Sequence, residues 1–199
     1  MPRTRQRTPE LRDRLLAAAL DLLAESGAAG LTARSLAMRA ETSPPAVYEL
    51  FGDKGGVVRA LYFEGFRRLS DTLSTVRESD DPIADLWALA AVYRSFVRNN
   101  RDLAEVMFSR PFTDFAPGPE ELAATSSVRI LIVERVRRGI DARRLHGDET
   151  DIAHVLVSLV QGLAFAEAAG RLGTSTESVE RRWRLGIAAV LNGLGAVSR

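Results

Sequence analysis

Apolar residues recur along nearly the whole chain at three- and four-residue intervals. This is the period of an amphipathic helix, not the strict alternation of a half-buried strand. Leu11, Leu15, Ala18, Ala19, Leu22 and Leu23 mark a first helix, opened by Thr8-Pro9 and stopped at Gly27. Thr32 stands where it can cap a short helix bearing Leu36, Ala37 and Ala40. A still shorter helix carries Val47, Tyr48, Leu50 and Phe51 and ends at Gly52. Asp53 then caps a long fourth helix through Val57, Leu61, Phe66, Leu69, Leu73 and Val76. After the break at Ser79-Asp80-Asp81-Pro82, the pattern predicts a helix from Ile83 to Val97 and a short one around Leu103, Val106 and Met107. The proline-rich stretch 111–119, with Phe112 and Phe115, reads as a loop with apolar anchors. Helices over 120–139, 149–169 and 176–196 complete the chain, with Gly139, Gly147, Gly170 and Gly173 as breaks. The expected fold class is all-α, with about nine helices.

Composition narrows the chemistry. With 46% hydrophobic residues, the 199-residue chain can bury one sizeable core or two small ones. The absence of cysteine excludes disulfides and thiolate metal sites. His146 and His154 fall in no ligand pattern, so neither a metal nor a cofactor is expected. There is no nucleophile–base arrangement, paired-acid motif or glycine-rich phosphate loop, which argues against a small helical enzyme. No continuous apolar run reaches eighteen residues, and no secretion signal is visible; the expectation is a cytoplasmic protein without a membrane span.

A net charge of +1 does not by itself mark a nucleic-acid binder. Its distribution is more telling: Arg3, Arg5, Arg7, Arg12 and Arg14 face only Glu10 and Asp13. Residues 1–9 form either a basic arm able to follow a phosphate backbone or a solubilising tail. Residues 32–51, two short helices joined by a tight turn between long apolar helices, form either a helix-turn-helix or a plain helical hairpin.

The stretch LTARSLAMRAETSPPAVYELFGDKGGVVRAL, residues 31–61, resembles the N-terminal domain of the TetR family of transcriptional regulators. The match takes in the LT opening, the LA pair, the VY step, the phenylalanine and the lysine after a short turn, and LLAAALDLLAESGAAG ahead of it fits the family's first helix. The resemblance implies a three-helix DNA-binding domain over residues 10–55 and a helical ligand-sensing and dimerisation domain over 56–199. It also implies that the partner is double-stranded DNA. Thr32 would offer a hydroxyl and free N–H groups to a phosphate, and Arg34 would reach a guanine or a phosphate. Ser43, Pro44, Pro45 and Ala46 would open the recognition helix against base edges. Tyr48 and Lys54, the one lysine in the chain, would bind phosphates, the alternatives being a core tyrosine with a wet tip and a solvated cap lysine.

Three departures from the family pattern stand out. Glu41 occupies the usual turn-glycine position, so either the turn is rebuilt or Glu41 is strained. A proline after Pro44 disfavours helical geometry there, which makes Pro45 the expected first helical residue and puts Ser43 outside the capping place. Glu49 either accepts from a cytosine amino group or faces away from DNA, and the second is preferred.

The family resemblance further implies a homodimer on a palindromic operator, formed through the last two helices, and a repressor released by a small-molecule effector. Trp87, Tyr93, Phe96, Met107, Phe108 and Phe112, with Arg129, Gln161 and Phe165, are the candidate effector contacts; an aromatic stripe of this kind equally suits plain core. The competing readings are a ligand-independent DNA-binding or protein-interaction module, and a small all-α enzyme.

Overall fold

The computed structural model describes residues 9–108 and 118–195, and all regular structure among them is helical. The expected basic arm, apart from Pro9, lies outside the described residues, as do Phe112 and Phe115. The elements are α1 (Pro9–Gly30), α2 (Ala33–Arg39), α3 (Pro44–Phe51), α4 (Lys54–Ser74), α5 (Pro82–Asn99), α6 (Arg101–Phe108), α7 (Pro119–Ala124), α8 (Ser126–Asp141), α9 (Glu149–Ala168) and α10 (Thr176–Gly195). Helical geometry in α1 breaks at Gly27, which adopts φ 60°. The helix expected over 120–139 is two, α7 and α8, parted at Thr125. Gly139 does not end α8. It sits buried within it, because a Cβ there would come within 2.8 Å of Leu145 Cδ1 as the chain folds back.

The helices gather into two compact units. The first combines residues 1–67 with 100–124, and so holds α1, α2, α3, most of α4, α6 and α7. Its core is the apolar stripe of α1 (Leu11, Leu15, Leu22, Leu23) closed by Leu36, Val47, Val58 and Leu61. Packing brings α6 into this unit: the Phe66 and Phe108 rings meet edge to face at 5.4 Å, and Gly65 leaves room for Met107. On α7, Glu121 is almost fully buried. Its Oε2 accepts from the Gly118 N–H at 2.8 Å, and its Oε1 lies 2.6 Å from Arg59 Nε, a charge contact rather than a well-directed hydrogen bond.

The second unit combines residues 68–99 with 125–199. There α9 packs against α5, α8 and α10 around Leu73, Leu89, Ile152, Leu156, Trp183 and Ile187. Of the helices in the described residues, α9 is long and apolar enough to cross a membrane by length and composition, yet here it is one member of a helical bundle.

A polar cluster ties the bundle together. Arg94 on α5 donates two hydrogen bonds to Glu167 on α9, at 2.6 and 2.9 Å, and a third to Glu180 on α10 at 2.6 Å. Its guanidinium lies 4.9 Å from the centre of the Trp183 ring, and the Trp183 indole N–H donates to Glu167 at 2.7 Å. Burial opposes ionisation of Glu167, but the hydrogen bonds from Arg94 and Trp183 and the nearby guanidinium charges outweigh it and hold the carboxyl below its ordinary 4.5.

A carboxyl whose folded-state pKa is depressed contributes stability above its unfolded pKa, and that contribution is lost as pH falls through the folded value. Glu167→Gln is therefore expected to lower unfolding free energy by about 1–3 kcal/mol at neutral pH. Urea titrations should show the gap to wild type closing below pH 4.5; a gap independent of pH would refute this linkage.

Candidate nucleic-acid interface

The interface begins with how α2 is started. Thr32 is extended (φ −123°, ψ 152°) and its Oγ1 accepts from the Ser35 N–H at 3.1 Å, while the Thr32 N–H donates back to Ser35 Oγ at 3.1 Å. The Thr32 groups expected to serve a phosphate are thus engaged in a capping box. The first-turn N–H groups of Ala33 and Arg34 are the ones without an intrahelical acceptor. The Arg34 side chain is exposed, and Arg39 at the far end of α2 pairs with Glu25 of α1 through two hydrogen bonds. That pairing lowers the Glu25 pKa below the ordinary carboxylate value.

The turn between α2 and α3 keeps a left-handed residue without using glycine. Glu41 has φ 51°, and the Thr42 N–H closes the turn onto the Ala37 carbonyl at 2.8 Å. The turn is therefore strained rather than rebuilt, at a cost on the order of 1 kcal/mol.

Helix α3 starts one residue earlier than the double proline suggested: Pro44, not Pro45, is first, and Ser43 occupies the cap position with φ −114° and ψ 149°. Two prolines are tolerated because the first positions of a helix have no carbonyl to donate to. The Ser43 side chain makes no cap bond: Pro45 has no N–H to offer, and the Ala46 N–H is taken by the Ser43 carbonyl at 3.0 Å.

Val47 is buried against the domain, and Ala46, Leu50 and Phe51 are half-buried. Pro44, Pro45, Tyr48 and Glu49 form the exposed stripe, with Tyr48 54% exposed. The reversal into α4 is tight: Asp53 Oδ1 caps it by accepting from the Gly56 N–H at 2.9 Å, and a Cβ on Gly56 would collide with the Phe51 carbonyl. Beside the reversal lies a groove of about 230 Å³ whose lining includes Thr32, Ala33, Tyr48 and Lys54. Of the expected DNA contacts, Thr32, Tyr48 and Lys54 thus converge on one groove. Pro44 and Pro45 lie on the exposed face of α3, Arg34 lies on α2, and Ser43 and Ala46 are partly covered.

The expected effector residues are divided between the two units. An apolar cavity of about 50 Å³ opens within the second unit, walled by Leu86, Leu89, Tyr93, Leu156, Val160 and Ile187 among others. Tyr93 belongs to that wall; Trp87, Phe96, Gln161 and Phe165 are in the same unit but do not line it, and Arg129 is exposed. Met107 and Phe108 belong to the first unit, and Phe112 is outside the described residues. The aliphatic lining escaped the sequence reading because leucine and valine at helical spacing look the same in a core and in a cavity wall. Burial raises the Tyr93 pKa above its ordinary value, so the phenol stays neutral. Among the described residues, no group of three acidic, histidine or cysteine side chains could hold a metal.

An outward-facing helix braced by a capped partner defines a helix-turn-helix protein. Residues 15–61 match the tetR family of bacterial regulatory proteins, and residues 86–190 match the tetracyclin repressor-like C-terminal domain. The chain belongs to the TetR family: it is a DNA-binding transcription regulator whose C-terminal domain is of the ligand-binding type. A Rhodococcus sp. RHA1 protein of unknown function is 29% identical, with a TM-score of 0.81 over 96% of this chain and 99% of that one. A tetR-family regulator from Rhodococcus RHA1 (21% identity, TM-score 0.68, 96% and 100% coverage) shares the fold. So does the fatty acid degradation regulator FadR of Bacillus halodurans (17% identity, TM-score 0.70, 96% and 98%). No curated protein matches by sequence.

Relief of the strained turn is measurable. Glu41→Gly should raise unfolding free energy by about 1 kcal/mol, and thermal melts of the two proteins check it. A lower melting temperature for the glycine variant would mean that the Glu41 side chain compensates its backbone.

Proposed function

We propose that the protein is a cytoplasmic homodimeric repressor that binds a palindromic operator and is released by a small-molecule effector. Residues 10–55 would read DNA, and residues 56–199 would sense and dimerise. The observation that carries this reading is the exposed stripe of α3 beside the capped start of α2, with Tyr48 and Lys54 on the groove between them. In this reading α3 enters the major groove, Pro44, Pro45 and Ala46 touch thymine methyl groups, and Arg34 contacts a guanine or phosphate. Tyr48, Lys54, Ser43 and the first turn behind Thr32 hold the backbone.

Dimerisation through α9 and α10 is supported by what these helices leave uncovered. Although α9 is strongly apolar, only 28% of its most apolar window is buried within one chain. Val155 is 50% exposed and Leu185 on α10 is 68% exposed, with the small residues Gly162, Ala169, Ala189 and Gly193 also exposed. A second copy would cover this surface, as the two-fold symmetry of a palindrome requires.

The lining of the second unit's cavity favours a neutral, largely apolar effector, with Tyr93 as its polar contact. Trp87, Phe96, Gln161, Phe165, Arg129, Met107, Phe108 and Phe112 would act as surrounding or second-site contacts. Helix α4 carries Lys54 at its start and the cavity residue Leu73 near its end, so an effector that displaces Leu73 can shift the DNA-binding end of the same helix.

Titration against an operator selected from random duplexes tests the DNA contacts. Arg34→Ala should relax preference at one base pair by about 1–3 kcal/mol. Lys54→Ala should weaken all duplexes alike and reduce the salt slope by about 1. Identical behaviour of the two variants would sink this division of roles. For the dimer, Leu185→Glu should give a monomer by sedimentation and lose operator binding; a variant that stays dimeric places the interface elsewhere.

A further inference from the structure

A second groove, of about 500 Å³, lies at the C-terminal end of α3, within the first unit. Arg12 of α1, Leu50 and Phe51 of α3, and Asp53, Arg59 and Phe63 contribute to its lining. The ionised groups other than Arg12 are already committed: Asp53 caps the Gly56 N–H, and Arg59 Nε lies 2.6 Å from the buried Glu121 carboxylate. Arg12 is exposed and forms no ion pair with any described residue. Its guanidinium carbon instead stands 5.4 Å from the centre of the Phe51 ring. A guanidinium over a ring is attracted by the negative ring face, and its N–H edges stay free to donate elsewhere.

The outward direction of α3 runs through Pro45, opposite buried Val47 and half-buried Leu50 and Phe51. Phe51 comes six residues after Pro45, so it is turned about 120° around the axis from that direction. The major groove, about 12 Å across, is scarcely wider than a helix with its side chains, so a helix lying in it has base edges ahead and phosphates beside it. Eight residues also span about 12 Å, so with the first turn on base edges the last turn reaches the groove wall. A cation beside that last turn therefore meets backbone rather than bases. Tyr48 and Lys54 line the other groove, with Thr32, and Arg12 has no part in it. We propose that Arg12 is a DNA-binding residue that donates from its guanidinium to one backbone phosphate in each half-site, distinct from the phosphate held by Lys54, with Phe51 as its platform. This rests on the DNA-reading role proposed for α3.

The test uses the full-length protein and a duplex it selects from a random library, with Arg12→Gln, Arg12→Lys and Lys54→Ala as variants. Arg12→Gln is expected to weaken all duplexes alike by about 10-fold and to reduce the salt slope by about 1 per protomer. Arg12→Lys keeps the charge and should keep the wild-type slope. Phosphates of the selected duplex are then replaced one at a time by uncharged methylphosphonate. One replacement per half-site should weaken wild type yet leave Arg12→Gln no weaker than it already is, and a different one should behave so for Lys54→Ala. If Arg12→Gln melts below the assay temperature, Arg12→Lys decides: without the bidentate fork it should lose less than wild type at that same phosphate, and an unchanged scan would count against the proposal. A lowered melting temperature for Arg12→Gln with wild-type affinity and salt slope would overturn it, leaving the ring contact as purely internal. A changed base preference in Arg12→Gln would overturn it too, by making Arg12 a base contact. A selected operator in which no phosphate answers to Arg12 would do so while the DNA-reading role stands; selection of no duplex at all would defeat both.

Discussion

The DNA-binding end of this protein depends on one constraint: two helices too short to be stable alone must be held rigidly while one side of the second stays uncovered. Helices of seven and eight residues gain little from their own hydrogen bonds. Leu36, Ala37 and Val47 supply the missing stability by burying their side chains within the first unit, where α1 packs on α2 and α2 on α3. The Thr32–Ser35 capping box fixes where α2 begins, and the approach of Gly56 to the Phe51 carbonyl fixes how sharply α3 gives way to α4. Because these anchors all lie on the inner side, Pro44, Pro45, Tyr48 and Glu49 remain exposed.

The turn between these helices shows that the arrangement takes precedence over local comfort. Glu41 is held at positive φ where a glycine would rest without strain, and the geometry is retained. Strain is tolerated when surrounding packing over-determines a residue, and here α2 and α3 are each anchored separately. The double proline follows the same logic: its missing N–H groups fall where the helix has no use for them.

The second unit is held in a different way. Its bundle joins an apolar interior to a nearly buried polar cluster in which one guanidinium, Arg94, serves two carboxylates and an indole ring. Such a cluster specifies which faces of α5, α9 and α10 meet, because a shift of one helical turn would leave buried charges unpaired. Beside it, a small cavity is walled by Tyr93 and aliphatic side chains, with no ionised group in its lining.

Much of this was legible in the residue order: the helices, the Thr32 and Asp53 caps and the Gly52 stop rest on local rules of period and end chemistry, while period alone left a helix-turn-helix and a plain hairpin open and the resemblance of residues 31–61 to the TetR family decided between them. What failed locally failed for identifiable reasons. Gly139 looks like a stop but is a contact point for Leu145, and 120–139 looks continuous but breaks at Thr125. Helical spacing reports that a residue has an inner face, not what that face meets. Only the tertiary arrangement could bring Arg94 to Glu167 and Glu180 across seventy or more residues, group α6 and α7 with the N-terminal helices, and choose Tyr93 over the other aromatics for the cavity wall. Those outcomes depend on which helical faces pack together, and that is a property of the whole folded chain rather than of any stretch of it.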